Sequence, residues 1–423
     1  MELAMSTPVQ CCIAGGGPAG LMLGYLLARA GCRVVILEKH ADFLRDFRGD
    51  TIHPSTLELM HELGLLDRFL KLPHQKVERL MAVFADQPIE LANFSHLPVH
   101  APYIAMMPQW DFLNFLAEAG RKYPGFELRM NAQATDLMIE ADRVVGVSGH
   151  QSGTPFEVRA DLTVAADGRG SVLRDKSGLQ VVDYGAPMDA LWFRLAREPT
   201  DSEETMARFG QGNIFVMLNR RDYWQCAYVI PKGQSEALKA AGLPAFQASV
   251  ARSAPFLGER TKLITRWDDL KLLTVQVNRL KQWWRPGFLC IGDAAHAMSP
   301  IGGVGVNIAV QDGVAAANIL AAPLREGRSS NADLDAVQRR RMWPARATQA
   351  LQLMMQRQII SPVLGTTGGQ AHAPFALRLF QWFPILRRLP ARVIGLGIRP
   401  EHISPALNLS LAPSLRPTAD PSR

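Results

Sequence analysis

Between Val9 and Glu38 the chain is punctuated in a way that leaves few folds open. A continuous apolar run, Val9 to Ala14 (VQCCIA), ends in Gly15-Gly16-Gly17-Pro18-Ala19-Gly20, and helical apolar spacing follows from Leu21 to Ala30. After Gly31 a second, β-branched run from Arg33 to Leu37 stops at Glu38, with Lys39 beside it. Strand, glycine turn, helix and strand in that order, with an acid at the end of the second strand, is the pattern of a dinucleotide-binding unit. Gly15 permits the tight turn, Gly17 lets a pyrophosphate approach the backbone, and Gly20 lets the helix pack on the strand. The phosphate charge then meets the positive end of the helix dipole. Pro18 is tolerated because the first helical turn has no intrahelical partner for the missing N–H. Glu38 is placed to accept hydrogen bonds from a ribose, which argues against a 2′-phosphate and leaves NAD or FAD. A tight turn with no ligand is the plainer alternative.

Two later segments, each an apolar run ending at an aspartate–glycine pair, narrow this choice. Asp161 to Arg174, DLTVAADGRGSVLR, is similar to the DG signature of the single-component (group A) FAD-dependent aromatic hydroxylases, the para-hydroxybenzoate hydroxylase-like family, through Asp167, Gly168, Ser171 and Arg174. Gly287 to Gly313, GFLCIGDAAHAMSPIGGVGVNIAVQDG, resembles the GD signature of the same family. The matching residues are Gly292, Asp293, Ala294, Ala295, His296, Pro300, Gly303, Gly305, Asn307 and Asp312. The resemblance covers roughly Val9 to Leu320.

The resemblance implies an oxidoreductase, a monooxygenase with FAD as cofactor and NADPH or NADH as co-substrate. Reduced flavin would take up O2 as a C4a-hydroperoxide and hydroxylate an aromatic or other activated lipophilic small molecule. Asp293 would hold the ribityl hydroxyls, and the loop from Pro300 to Gly305 would lay bare backbone against the isoalloxazine ring. The helix that follows, with Asn307 in its first turns, would direct its N–H groups at the flavin N1 and C2 carbonyl region. Arg48 resembles the family arginine at the FAD pyrophosphate, and Gln109 the glutamine near the ribityl-phosphate chain. For both, a solvated side chain or helix cap is the alternative. Asp167 and Arg174 would fix their loop and help the nicotinamide to dock, or serve as a structural clamp alone. His296 reads as structural, and no general base is identifiable.

The fold expected is α/β: a GR2-type, Rossmann-like FAD-binding domain assembled from residues 1–75, 106–180 and 285–335. An inserted β-rich substrate domain would comprise 76–105 and 181–284, followed by a basic helical region over 336–412 and a frayed tail over 413–423. Helices are expected over Ser55 to Leu72, broken at Gly64, over Asp111 to Tyr123, and near Gln234 to Ala240. Strands are expected at DALWFRL, NIFVMLN, YWQCAYVI, TKLITRW and KLLTVQV between residues 185 and 285. Tyr184, Trp192, Phe193, Phe215, Tyr223, Trp224 and Tyr228 on these strands are walls for an aromatic substrate or plain core.

The formal charge of +7 has a location. Ten arginines and no acidic residue lie between Ala336 and Pro400, so the rest of the chain is close to neutral. No recognised module accompanies this charge, and nucleic acid is not an expected partner. Phe375 to Leu389, FALRLFQWFPILRRL, is instead a candidate for peripheral contact with an anionic membrane; the alternative is that it packs on the main body. Gly302 to Leu324 is apolar enough to imitate a membrane span, but its glycines and Asp312 read as a core helix. Five cysteines without a CxxC pair, and an N-terminus lacking the pattern of a signal peptide, point to the cytoplasm. Three other readings stay open: an FAD dehydrogenase or reductase, a halogenase, and a non-enzymatic binding protein. The halogenase WxWxIP run is not matched by Trp283-Trp284-Arg285-Pro286.

Overall fold

The strand Val9–Ala14 reads as an uninterrupted apolar run because both of its faces are covered. It lies between Thr154–Ala165 and Val34–Leu37, parallel to each. Phe126–Arg129 adds a parallel strand on one side and Phe288–Cys290 on the other, with antiparallel Trp284–Arg285 at the edge. This sheet is therefore assembled from segments up to 280 positions apart in sequence, which is the α/β architecture expected. Thr154–Ala165 is long enough to join two pairings. Its first half is antiparallel to Arg143–Gln151, and only residues from Ala160 onward enter the parallel core. The computed structural model describes residues 9–44, 51–84, 87–202, 204–210, 212–365 and 375–407.

Two helices pack on the central strands. Pro18–Arg29 and Gly305–Arg325 cross so closely that a Cβ on Gly313 would stand 2.7 Å from the Ala19 carbonyl oxygen. The second helix is buried on nearly every side, which accounts for its apolar composition without a membrane.

A second sheet of seven strands runs in the order Lys271–Leu273, Met188–Ala196, Tyr223–Pro231, Ile214–Asn219, Met206–Phe209, Arg79–Phe84, Gln87–Asn93. Strand alternation divides its side chains between two faces. Leu191, Phe193, Phe215, Trp224 and Tyr228 form the outer face and pack against the helix Leu243–Ser253. Four of the expected substrate walls, Phe193, Phe215, Trp224 and Tyr228, are thus core residues turned away from the parallel sheet. The run TKLITRW is not a strand: Pro255–Leu263 is a tight 3-10 segment, started by Pro255 and bent at Gly258, whose φ is +52°. Leu243–Ser253 was not anticipated, although Leu243, Phe246 and Val250 carry a helical spacing.

Two small sheets fasten the layers together. Gln75–Val77 and Ile104–Met106 pair with each other, and Ile104–Met106 also pairs with Thr51–Ile52. Val181–Asp183, Asn278–Leu280 and His296–Ala297 form the other. The long helix Asn331–Met355 then crosses the seam, followed by the short helices Phe375–Trp382 and Arg388–Gly395. Several arginines of this region are paired with the body: buried Arg341 and half-buried Arg340 with Glu401, and half-buried Arg387 with Glu90 at 3.2 Å.

Candidate functional site

The glycines of the first turn divide the work as their spacing implies. Gly15 has φ +107°, and a Cβ there would lie 2.3 Å from the Ala166 carbonyl oxygen, so no other residue fits. A Cβ on Gly20 would fall 2.0 Å from the Gly15 carbonyl oxygen. Gly17 differs, since the nearest atom to a Cβ there is Ala166 O at 3.9 Å. The fold does not require glycine at 17, so the open space above it is room for a ligand. Pro18 opens the helix, and Ala19 is buried where a Cβ on Gly292 would meet it at 3.1 Å.

Glu38 stands at the mouth of this turn. Its Oε2 accepts the Gly16 N–H at 3.1 Å, and its Oε1 accepts the His40 backbone N–H at 3.1 Å and lies 2.5 Å from His40 Nδ1. Lys39 is exposed and makes no polar contact among the described residues. Arg48 lies outside the described residues. Gln109 is the first residue of the helix Gln109–Gly120 and is half-buried, with no polar partner among the described residues.

The DG and GD segments meet opposite the glycine turn. Asp293 sits on the turn Gly292–Ala294 with its side chain one-third exposed, and its Oδ2 accepts from Arg169 Nε at 3.0 Å. Asp167 Oδ2 accepts the Val172 N–H at 3.1 Å, whereas its Oδ1 is buried with no hydrogen-bond partner among the described residues. Burial pushes the Asp167 carboxyl above its ordinary range, against the hydrogen bonds it accepts. Arg174 donates to Arg169 O at 3.0 Å and Ala294 O at 3.4 Å, clamping the two segments to each other.

The loop after His296–Ala297 is held from both sides. Pro300 O accepts the Gly303 N–H at 3.0 Å, and Thr51 Oγ1 donates to Gly303 O at 2.8 Å. The first bond of the following helix runs from Ile308 N to Val304 O, so the N–H groups of Gly305, Val306 and Asn307 lead the helix dipole. A Cβ on Gly305 would meet nothing within 4 Å. The Asn307 side chain turns inward instead. Its Oδ1 accepts from His53 N and Thr56 Oγ1, both at 2.8 Å, and its Nδ2 donates to Thr51 O at 3.0 Å. Asn307 therefore braces the loop with its side chain and can offer a ligand only its backbone.

Other braces lie outside the sequence motifs. Gln349, Gln352 and Gln356 recur at i, i+3 and i+7, one face of a helical run, and all three are buried. Gln349 Nε2 donates to Asn278 O and Ala297 O at 2.8 and 2.9 Å. Gln352 Nε2 donates to Ser299 O and Ile301 O at 2.9 and 3.0 Å, and Gln356 Nε2 donates to Ser299 Oγ at 3.0 Å. The signal was the spacing of three amides on one helix face, but their targets are 51 to 71 residues away.

Beneath the loop, Asp312 is fully buried. Its Oδ2 accepts the Gly292 N–H at 3.0 Å and lies 2.6 Å from His296 Nε2, while Oδ1 accepts from Arg341 Nε at 2.9 Å. Burial alone would raise this carboxyl, but His296 and Arg341 outweigh it and hold it below the usual range. His296 is thus committed to a structural pair.

His53 supplies a pH prediction. Burial pushes its pKa from the ordinary 6.5 to about 4, against the opposing pull of the Ile394 and Gly303 carbonyls. The unfolded chain takes a proton below pH 6.5 that the folded protein refuses until about 4, so stability is lost as pH falls through that window. The loss amounts to about 3 kcal/mol. Asp312 adds its own loss only at lower pH. His53→Asn, whose amide can still donate to Ile394 O, flattens the dependence of Tm on pH between 6.5 and 4. An unchanged slope would assign the effect to other groups.

Residues 8–352 match the family model described as FAD binding domain. The chain belongs to that family. Its relatives include the 6-methylpretetramide 4-monooxygenase of Streptomyces rimosus, 29% identical over 83% of this chain and 84% of the relative. The 12-dehydrotetracycline 5-monooxygenase/anhydrotetracycline 6-monooxygenase of the same species is 30% identical over 71% of this chain and 60% of the relative. Among solved structures, OxyS anhydrotetracycline hydroxylase from Streptomyces rimosus superposes with a TM-score of 0.74 at 24% identity, covering 93% of this chain and 77% of that one. The protein is an FAD-dependent monooxygenase of the aromatic hydroxylase family.

FAD suits the residues present. The open face of Gly17 is a cradle that a side chain would fill, and it lies at the positive end of the Pro18–Arg29 helix. Glu38, whose oxygens already accept from Gly16 and His40, would offer a ribose its remaining lone pairs. Asp293 has one oxygen, Oδ1, that no described residue occupies, and the buried Asp167 Oδ1 is a second acceptor without a partner.

Proposed function

We propose that this monooxygenase hydroxylates a fused-ring, phenolic substrate held between the loop from Pro300 to Gly305 and the inner face of the seven-stranded sheet. One observation carries the reading. Trp192, Phe209 and Val216 occupy that inner face and stay only half-buried, although Trp192 and Val216 sit in the middle of strands. On the same face Ala190, Ala207 and Ala227 carry only a methyl group each, beside the buried Ile214 and Val229, so short side chains lie next to the three that stay half-buried. Ile301 of the loop packs against the same cluster. The relatives named for tetracycline-type compounds support the same substrate class.

In this reading the Gly15–Gly20 turn receives the FAD pyrophosphate and Glu38 its ribose, with Asp293 on the ribityl chain and the backbone of Gly303 to Asn307 along the ring. Bound FAD supplies the acceptance of a hydride from NADPH or NADH and the activation of O2. The chain's own part is electrostatic and steric. The leading N–H groups at Gly305 to Asn307 favour negative charge next to the ring, and the glutamine brace keeps them in place without reorganisation. The apolar inner face excludes water from the site. All five cysteines are free and buried, which supports the cytosol as the compartment.

Oxidation of NADPH or NADH, with product identification by mass spectrometry, tests the substrate class. Fused-ring phenols are expected to stimulate turnover more than single-ring phenols. Ala227→Phe should lower the fused-ring rate about tenfold or more by adding a ring to the inner face, with little effect on any single-ring substrate. Equal stimulation by single-ring phenols, or an indifferent Ala227→Phe variant, contradicts the reading.

A further inference from the structure

The segment from Trp382 to Gly395 turns large apolar side chains outward. Ile385 and Leu389 are 66% and 70% exposed, Trp382 and Phe383 63% and 55%, and Leu386 40%. Scattered exposed hydrophobes need no explanation, but these five fall within eight consecutive residues. They are held there by an anchored inner face. Arg387 pairs with Glu90 and donates to Phe380 O at 2.8 Å. Ala391 and Gly395 are buried, and a Cβ on Gly395 would come within 2.8 Å of the Leu97 side chain. The outer face also carries positive charge. Arg388 and Arg392 are exposed and pair with no carboxylate among the described residues, in a stretch with no acidic residue of its own.

We propose that the outer face of residues 382–392 docks on an anionic lipid bilayer, with Trp382, Phe383, Ile385 and Leu389 in the headgroup and acyl boundary and Arg388 and Arg392 on the lipid phosphates. Aromatic and aliphatic side chains flanked by arginines, without an acidic residue among them, are the composition of an interfacial segment. A symmetric contact with a second copy is disfavoured by charge, because it would set Arg388 and Arg392 of one copy against the same arginines of the other. The inner side of the same helix reaches toward the candidate site: Ile394 O lies 2.8 Å from His53 Nδ1, and the His53 backbone N–H donates to Asn307.

The test is flotation of the full-length, FAD-loaded protein with vesicles of phosphatidylcholine, alone or mixed with phosphatidylglycerol. The protein should float only with the phosphatidylglycerol mixture. Trp382→Ser/Leu389→Ser should abolish flotation, and Arg388→Glu/Arg392→Glu should weaken binding at least about tenfold. Both variants change exposed residues, and unchanged flavin content verifies that they fold. Failure of the wild type to float with anionic vesicles overturns the proposal, as does undiminished flotation of Trp382→Ser/Leu389→Ser. A concentration-dependent dimer that Leu389→Ser dissolves would make this face a self-interface and overturn it equally.

Discussion

Asp293→Ala is expected to give a folded protein that no longer retains FAD. The fold does not rest on this side chain, which is one-third exposed and makes a single ion pair with Arg169. Such a pair contributes at most about 1 kcal/mol. The ligand should rest on it, because each hydrogen bond from a ribityl hydroxyl to a carboxylate is worth about 1.5–3 kcal/mol. Removing it should weaken FAD binding roughly 10- to 100-fold. Asp293→Asn, which keeps an acceptor but not the charge, should fall between. Circular dichroism and Tm report the fold, and the visible flavin band after gel filtration reports retention. Full retention by Asp293→Ala would remove this residue from the FAD site.

Two substitutions in one glycine turn should fail in opposite ways. The Cβ of Gly17→Val would meet nothing nearer than 3.9 Å, and the backbone there needs no positive φ, so the protein should fold with near-normal Tm. The valine then occupies the space that the pyrophosphate needs, and FAD affinity should fall at least about 100-fold, the weight of two lost charge-assisted hydrogen bonds. Gly20→Ala is the reverse. Its Cβ would lie 2.0 Å from the Gly15 carbonyl oxygen, a backbone atom that cannot rotate away, so helix and strand must separate. The cost should reach or exceed about 3 kcal/mol of stability. If both variants lost stability alike, Gly17 would be a residue of the fold and the open space above it would have no ligand to explain.

The contrast shows why part of this molecule was readable in sequence. Gly15, Gly17, Gly20 and Glu38 act within one strand–turn–helix–strand unit, where spacing along the chain is spacing in the structure. The DG and GD turns are equally local, and Asp167, Gly292 and Asp293 lie on turns that end strands. What could not be read depends on distant partners. Arg341 looked like one of ten arginines in a basic tail, yet it is buried between Asp312 and Glu401. The three glutamines of the Asn331–Met355 helix and its continuation carry no meaning until the 296–303 loop lies beside them. Alternation in Met188–Ala196 and Tyr223–Pro231 separated two sets of side chains but could not say which set faced the flavin loop. The larger aromatics drew attention, yet Phe193, Phe215, Trp224 and Tyr228 belong to the outer core.

The central claim, that this chain binds FAD and reduces it with a nicotinamide in service of hydroxylation, is tested most directly under anaerobic conditions. The visible spectrum of the purified protein is recorded, NADPH or NADH is added with and without a panel of phenols, and the flavin band is followed. A yellow protein whose flavin bleaches, and bleaches faster with a particular phenol, is the predicted result. A protein that stays colourless after reconstitution with FAD, or whose bound flavin neither nicotinamide bleaches, would contradict the account.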